Sequence, residues 1–149
     1  MQWHPHNTVA VVIERDQQFL MVEELIQGQL VLNQPAGHLE PGESLMQAAR
    51  RETLEETAWE VELESLLGIY QFIAEQNGEC YLRTCFIARL IKEHKERELD
   101  QGIVRAVWMD LPSLQAESQR LRNPIVMTVI EDYLAGRHYP LNILHFRKD

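Results

Sequence analysis

Runs of apolar and β-branched residues, separated by short polar breaks, cover most of the chain and predict a protein rich in strands. The first two runs flank the polar stretch 14–18 and are predicted to form a hairpin. Asn77-Gly78 predicts the tight turn of a second hairpin, because both residues tolerate the positive φ that such turns require. The predicted strands are residues 7–13, 19–25, 31–39, 59–63, 66–74, 80–91 and 104–109.

The clearest helix in the sequence is residues 44–57, which consist mostly of good helix formers. Ser44 and Gln47 have the spacing of a capping box at its start. Two further helices are predicted, a short one from residue 111 and a longer one over residues 125–134. This order of elements predicts an α/β (α+β) fold, in which a mixed β-sheet is sandwiched between helices, with one domain over residues 1–149.

Composition narrows the possible partners. The 149 residues are 45% hydrophobic and have a formal net charge of -9, which argues against a nucleic-acid polymer because like charges repel at long range. No run approaches the ~20 apolar residues that cross a bilayer, and the N-terminus lacks an export signal, so a cytoplasmic protein with no membrane partner is expected. Cys80 and Cys85 face opposite sides of a predicted strand and should stay reduced. No amphipathic helix is left over, which favours a monomer.

Three glutamates in the helix at residues 44–57 suggest chemistry. Glu52, Glu55 and Glu56 stand at i, i+3 and i+4, so their carboxylates share one helix face. Like charges at this spacing repel by roughly 0.2–0.5 kcal/mol per pair, and a hard divalent cation would relieve that repulsion. The alternative is an ordinary solvated helix face on which Arg50 and Arg51 neutralise the acids.

The surrounding sequence favours the metal, because residues 37–59 resemble the Nudix box. In this box a glycine is followed after five residues by Glu, and after seven more by Arg-Glu, an apolar residue, any residue and Glu-Glu. The pattern ends with any residue, a glycine and an apolar residue. Two positions depart from the pattern: Thr53 replaces the apolar residue after Arg-Glu, and Ala58 replaces the glycine that ends the helix. The matching positions are Gly37, Glu43, Arg51, Glu52, Glu55 and Glu56.

The resemblance implies a division of roles within the box. Glu52 and Glu56, joined by Glu55 and the backbone oxygen of Gly37, are implied to bind Mg²⁺, and the same oxygen ligands also suit Mn²⁺. Arg51 is expected to pair with Glu43 and so to brace the loop against the helix, rather than to touch substrate.

The general base and the substrate contacts are less closely defined by the sequence. Glu52 or Glu55 could take the proton of the attacking water, but family members also recruit an acid from a later loop. Here that loop is the charged stretch 92–101, with Glu96, Glu98 and Asp100; Glu98 and Asp100 rank together, and a merely solvated loop is an equal alternative. Candidate substrate contacts are Asn33, Gln34 and His38.

Stretches outside the box, such as residues 33–40 and 122–124, resemble a bacterial phosphatase branch of the same family. That branch implies Mg²⁺-dependent hydrolysis of phosphoanhydride bonds in nucleoside di- and triphosphates or thiamine-related pyrophosphates, with release of orthophosphate from a small phosphorylated substrate. Two alternatives stay open: a pyrophosphohydrolase that destroys oxidised nucleotides and releases pyrophosphate, and a non-catalytic Nudix-like module that only binds its ligand.

Overall fold

The computed structural model describes residues 2–149, which form an α+β fold with two β-sheets. Among these residues, no helix is both long and apolar enough to span a bilayer. The strands are β1 (His6–Val12), β2 (Glu14–Arg15), β3 (Gln18–Ile26), β4 (Gln29–Asn33), β5 (Ala36–His38), β6 (Trp59–Ile73), β7 (Cys80–Glu93) and β8 (Ile103–Asp110). The helices are α1 (Leu45–Thr57), α2 (Leu111–Ala116) and α3 (Ile125–Leu134), with 3₁₀ turns at Ser118–Arg120 and Leu141–Ile143.

The strands divide between a mixed sheet and an antiparallel sheet. The first sheet has the order β5-β1-β7-β6, and only its β1–β7 pair is parallel. The second sheet is built around β3, which pairs with β2 and β4 along one edge and with β8 along the other. The sequence predicted the mixed sheet but not its division from a second one.

The predicted hairpin of residues 7–13 and 19–25 is wrong. β1 pairs with β5 and β7 instead of β3, and the two-residue strand β2 forms the short hairpin with β3. The reason is burial: Val9 and Val11 pack into one hydrophobic core, whereas Ala10 and Val12 pack into another. A strand that is buried on both faces takes a central place in a sheet.

Two other strand predictions also needed correction. The predicted strands 59–63 and 66–74 form one continuous strand, β6. Its pairing with β7 shifts register three times, and one of these shifts, between Leu63 and Ser65, lies where the break was expected. Such bulges bend a strand without ending it. The predicted strand 31–39 is two strands, β4 and β5, which lie in different sheets because Pro35 cannot donate to a ladder.

Helix α1 packs its small side chains into the hydrophobic core that contains Val9 and Val11. Ala48 and Ala49 are fully buried there, and Ser44 caps the helix in the expected capping box with Gln47. The departures from the Nudix pattern are both accommodated. Thr53 is fully buried, but its hydroxyl donates to the Ala49 carbonyl oxygen at 2.8 Å. Ala58 ends the helix in the left-handed region, at φ 63, where glycine would be less strained.

Glu23 of β3 ties the second sheet to the turn that leads toward α3. Its buried carboxylate accepts hydrogen bonds from Arg105 at 2.9 Å and from Arg120. The hydrogen bond from Arg120 is the largest cause that lowers the pKa of Glu23 below its ordinary value of 4.5. A carboxyl with a lowered pKa stabilises the fold above its unfolded pKa, and that stabilisation disappears as the pH falls through the folded value.

We therefore expect Glu23→Gln to lower the free energy of unfolding by about 1–3 kcal/mol at pH 7, because two charge-assisted hydrogen bonds are weakened. The difference from the unsubstituted protein should shrink as the pH falls below about 4.5. Urea unfolding at several pH values measures it. Glu62→Gln is the control, since Glu62 is exposed and its pair with Arg89 should contribute less than about 1 kcal/mol. A loss that is independent of pH would contradict the assignment.

Candidate active site

The backbone of Gly37 lies directly against the carboxylate of Glu52. Gly37 is the middle residue of β5 and pairs with Val9 of β1, and β5 packs against α1. A Cβ atom on Gly37 would lie 2.1 Å from the carboxyl carbon of Glu52, far inside van der Waals contact. Glycine is required here because a side chain would have no room. Its backbone conformation does not require glycine, since its φ is not in the left-handed region.

The carboxylate of Glu56 faces the same loop. Its Oε1 accepts a hydrogen bond from the backbone N–H of Ala36 at 2.9 Å. Burial, followed by the nearby charges of Glu52, Glu24 and Asp100, raises the pKa of Glu56 to about 8 despite that hydrogen bond. Burial also raises the pKa of Glu52. Acids from three parts of the chain, α1, β3 and the loop before β8, therefore lie close enough to Glu56 to disfavour its charged form.

Arg51 joins the loop to the helix. Its guanidinium donates to both carboxylate oxygens of Glu43, at 2.7 and 3.0 Å, so the ion pair expected from the sequence is present. It also donates to Glu52 at 2.8 Å, to Glu55 at 2.9 Å and to the carbonyl oxygen of His38 at 3.0 Å. The hydrogen bond with Glu43 is the largest cause that raises the pKa of Arg51.

These groups open onto a cavity of about 370 Å³, a volume within the range of small-ligand sites. Gly37, Glu52 and Glu56 line the cavity, whereas the Glu55 side chain, held by Arg51, does not. The other lining residues include Thr8, Glu24, Asn33, His38, Phe72, Tyr81, Arg83 and Arg122.

The donor chemistry of this region fits a hard divalent cation. Both carboxylate oxygens of Glu52 lie in the space that a side chain at position 37 would fill. Among residues 2–149, Arg51 is the only ion-pair partner of Glu52, and Glu56 has none. Within residues 2–149, no three His, Cys, Asp or Glu side chains are already grouped as a complete ligand set. Mg²⁺ does not require one, since it commonly keeps several waters and takes one or two carboxylates together with substrate phosphates.

The structure separates the two acids proposed from the charged loop. The backbone N–H of Asp100 donates to the carbonyl oxygen of Glu55 at 2.9 Å, and the charge of Asp100 acts on both Glu52 and Glu56. Glu98 is exposed, and neither it nor Glu96 makes a hydrogen bond or ion pair with any described residue. Of the proposed loop acids, Asp100 is therefore the one that lies beside the helix glutamates.

The proposed substrate contacts occupy different positions. Asn33 and His38 both line the cavity, and the ring of His38 contacts His6 at 3.3 Å. Burial and the proximity of His6 lower the pKa of His38. Gln34 is 1% exposed and uses its amide within the protein, accepting from Arg83 at 2.6 Å and donating to the carbonyl oxygen of Val126 at 2.8 Å. Gln34 therefore supports the cavity from behind.

Sequence reasoning missed four charged residues of the cavity wall, Glu24, Glu40, Arg83 and Arg122. Two of them left a visible signal, because Glu24 and Arg83 are charged residues inside otherwise apolar predicted strands. A charge within a buried strand requires a partner or a ligand. Arg122 left no comparable signal, since it lies in an irregular segment whose path depends on its backbone contact with Leu32.

Sequence comparison places this geometry among known proteins. The NUDIX domain family matches residues 4–128. The chain is 36% identical over 140 residues to the phosphatase NudJ of Escherichia coli strain K12, covering 94% of this chain and 90% of that protein. The phosphatase NudJ of Shigella flexneri matches equally.

Solved structures agree with the sequence comparison. A NUDIX hydrolase from Nitrosomonas europaea is 48% identical, with a TM-score of 0.94 over 97% of this chain and 98% of that one. A UDP-X diphosphatase, at 20% identity and a TM-score of 0.74 over 94% of this chain and 68% of its own, shares the fold. With Gly37, Glu52 and Glu56 lining one cavity and the family match extending over most of its length, the chain belongs to the Nudix family of hydrolases that act on pyrophosphate bonds.

Proposed function

We propose that this protein hydrolyses phosphoanhydride bonds in nucleoside di- or triphosphates or thiamine-related pyrophosphates, requires Mg²⁺ or Mn²⁺, and releases orthophosphate. The observation that supports it most directly is the contact between the Gly37 backbone and the Glu52 carboxylate, with Glu56 bonded to the neighbouring Ala36. These contacts support a site in which the Gly37 backbone and the carboxylates of Glu52 and Glu56 face the same cavity.

Glu52, Glu56 and the backbone oxygen of Gly37 are the proposed metal ligands. When bound, the ion would neutralise phosphoryl oxygens and lower the pKa of a water molecule. Arg51 positions Glu52 and holds Glu55 in place through its hydrogen bonds. Glu55, bonded to Arg51 outside the cavity lining, is therefore proposed as a ligand only if its side chain turns inward.

A carboxylate is needed to accept the proton of the attacking water. Glu52, Glu55 and Asp100 are the proposed acceptors. Glu52 and Glu55 lie in the second half of α1, and the backbone of Asp100 is hydrogen-bonded to Glu55. Asp100 ranks above Glu98, since the backbone of Asp100 is bonded to α1, whereas Glu98 makes no hydrogen bond or ion pair with any described residue. In-line attack on a terminal phosphoryl group would release orthophosphate.

The product distinguishes this proposal from its alternatives. The relatives named phosphatase favour orthophosphate as the product. A cavity near the lower end of the small-ligand range favours a compact substrate over a polymer. We also propose a cytoplasmic monomer, on the sequence grounds given above.

The test is a panel of nucleoside di- and triphosphates and thiamine pyrophosphate, assayed with Mg²⁺, with Mn²⁺ and with EDTA. We expect orthophosphate release that requires the metal. Release of pyrophosphate alone would favour the nucleotide-sanitising alternative. Binding of the same compounds without hydrolysis under every metal condition would favour the non-catalytic module and overturn the proposal.

A further inference from the structure

Arg83 of β7 is a buried charge without a counter-charge. The residue is 4% exposed, and no carboxylate among residues 2–149 lies within ion-pair distance of it. Its Nη2 donates to the side-chain oxygens of Asn33 at 3.0 Å and Gln34 at 2.6 Å. Its Nε is buried with no hydrogen-bond partner among residues 2–149, and the thiol of Cys85 lies near the guanidinium. Neutral amides orient this guanidinium but do not neutralise it.

Arg83 lies on β7 between the cavity and the hydrophobic core that contains Ala10 and Val12. On β7, Cys85 is fully buried in that core, whereas Tyr81 and Arg83 line the cavity. Thr8 stands opposite Arg83 on the neighbouring strand and also lines the cavity. The guanidinium is thus buried from bulk solvent but borders the space that a ligand would occupy.

A second arginine lines the same cavity. Arg122 is held there by its backbone, whose N–H donates to the Leu32 carbonyl oxygen at 2.8 Å and whose oxygen accepts from Gln76 at 2.9 Å. No ion pair within residues 2–149 involves Arg122. The cavity wall of this acidic protein, whose formal net charge is -9, thus contains two arginines with no ion-pair partner among residues 2–149, beside the glutamates at positions 24, 40, 52 and 56.

An anion would complete this arrangement. Moving a charged group out of water is costly unless it is paired and hydrogen-bonded. The planar guanidinium matches the oxygens of phosphate better than a point charge does. The glutamates of the Nudix box repel such oxygens when no cation is bound, so phosphate binding by the chain itself requires groups such as these arginines.

We propose that Arg83, assisted by Arg122, binds a phosphate group of the substrate, and that Asn33 and Gln34 position the Arg83 guanidinium. The inference rests on the proposed function for the identity of the ligand as a small phosphorylated compound. It adds a specificity-determining site of fixed geometry, separate from the glutamates. Gln34 is the rigid part of this support, because its amide is also bonded to Val126 of α3.

A purely structural role for Arg83 makes a different prediction. In that case Arg83 would only link β7 to the segment between β4 and β5, and its replacement would lower the unfolding temperature without changing anion binding. The two roles are separated by measuring ligand binding directly.

The experiment is calorimetric titration of inorganic pyrophosphate into the protein in EDTA at low ionic strength. We expect Arg83→Met to weaken binding roughly 10- to 100-fold, the loss typical of a charge-assisted pair. Arg122→Met, whose side chain is partly exposed, should weaken it several-fold without affecting folding. Arg89→Met is the control, because Arg89 lies on the same strand, is exposed and pairs with Glu62.

Unchanged affinity in both Arg83→Met and Arg122→Met, or no pyrophosphate binding by the unsubstituted protein, would overturn the inference. If Arg83→Met does not fold, Arg83→Lys and Arg122→Met decide the result, and unchanged affinity in both has the same meaning. Metal-dependent hydrolysis by the same variants is measured separately. Normal hydrolysis with unchanged pyrophosphate affinity rejects only this inference, whereas anion binding without any hydrolysis rejects only the proposed function.

Discussion

Glu56→Gln is expected to lower the rate of metal-dependent hydrolysis by roughly two to four orders of magnitude while the fold is retained. Glutamine has nearly the same shape, and its amide oxygen can still accept the hydrogen bond from Ala36. It removes the negative charge that a divalent cation needs. Because burial and neighbouring acids disfavour that charge in the metal-free protein, the variant should unfold at no lower temperature in EDTA.

Initial rates with Mg²⁺ and thermal unfolding in EDTA measure the two halves of this prediction. Glu131→Gln is a suitable control, since Glu131 lies exposed on α3, away from the cavity. Equal rates in the unsubstituted protein and in Glu56→Gln would remove Glu56 from the proposed ligand set. A loss of activity accompanied by unfolding would say nothing specific about the metal, which is why both measurements are needed.

Gly37→Ala is expected to reduce activity by about 100-fold or more, through geometry alone. The new methyl group would lie 2.1 Å from the carboxyl carbon of Glu52 and 2.3–2.4 Å from its oxygens. Either the carboxylate or the loop must move by about an ångström, a displacement that can cost a factor of 100 in rate. No charge is changed, so the effect isolates the position of the Glu52 carboxylate.

The control for this substitution is Gly28→Ala, for which we expect a loss of stability and no loss of activity. Gly28 has a φ of +79, and nothing lies within 4 Å of the position of its Cβ. Alanine there should cost about 1 kcal/mol of stability without affecting the rate. Comparable rates in Gly37→Ala and the unsubstituted protein would show that the close contact with Glu52 is not needed for hydrolysis.

The helix-borne part of the site was predictable because its geometry is local. Helical periodicity places Glu52, Glu55 and Glu56 on one face, and the capping box at Ser44 marks the start of the helix. The pair of Arg51 with Glu43 was likewise expected from the family resemblance, and it is present. These features depend on residues that are close together in the sequence.

Which of the acids line the cavity was not predictable from the sequence. Packing of α1 against the sheets decides that Glu52 and Glu56 line the cavity while Glu55 contacts Arg51. Both Asp100 and Glu98 are exposed, but a backbone hydrogen bond to Glu55 of α1 brings only Asp100 beside the helix glutamates. Glu98 and Asp100 are two residues apart, so composition and charge pattern could not distinguish them.

By itself, the sequence determined the α+β class, the position of the glutamate-bearing helix and the family, because helix periodicity, caps and box spacing are properties of neighbouring residues. Only the tertiary structure decided that β1 joins β7 rather than β3, and that Gln34 supports Arg83 instead of facing the ligand. Strand pairing and burial depend on contacts between distant segments. The sequence pattern alone is compatible with many orders of the same strands in a sheet. The arginine-lined part of the cavity exists only after those segments have met.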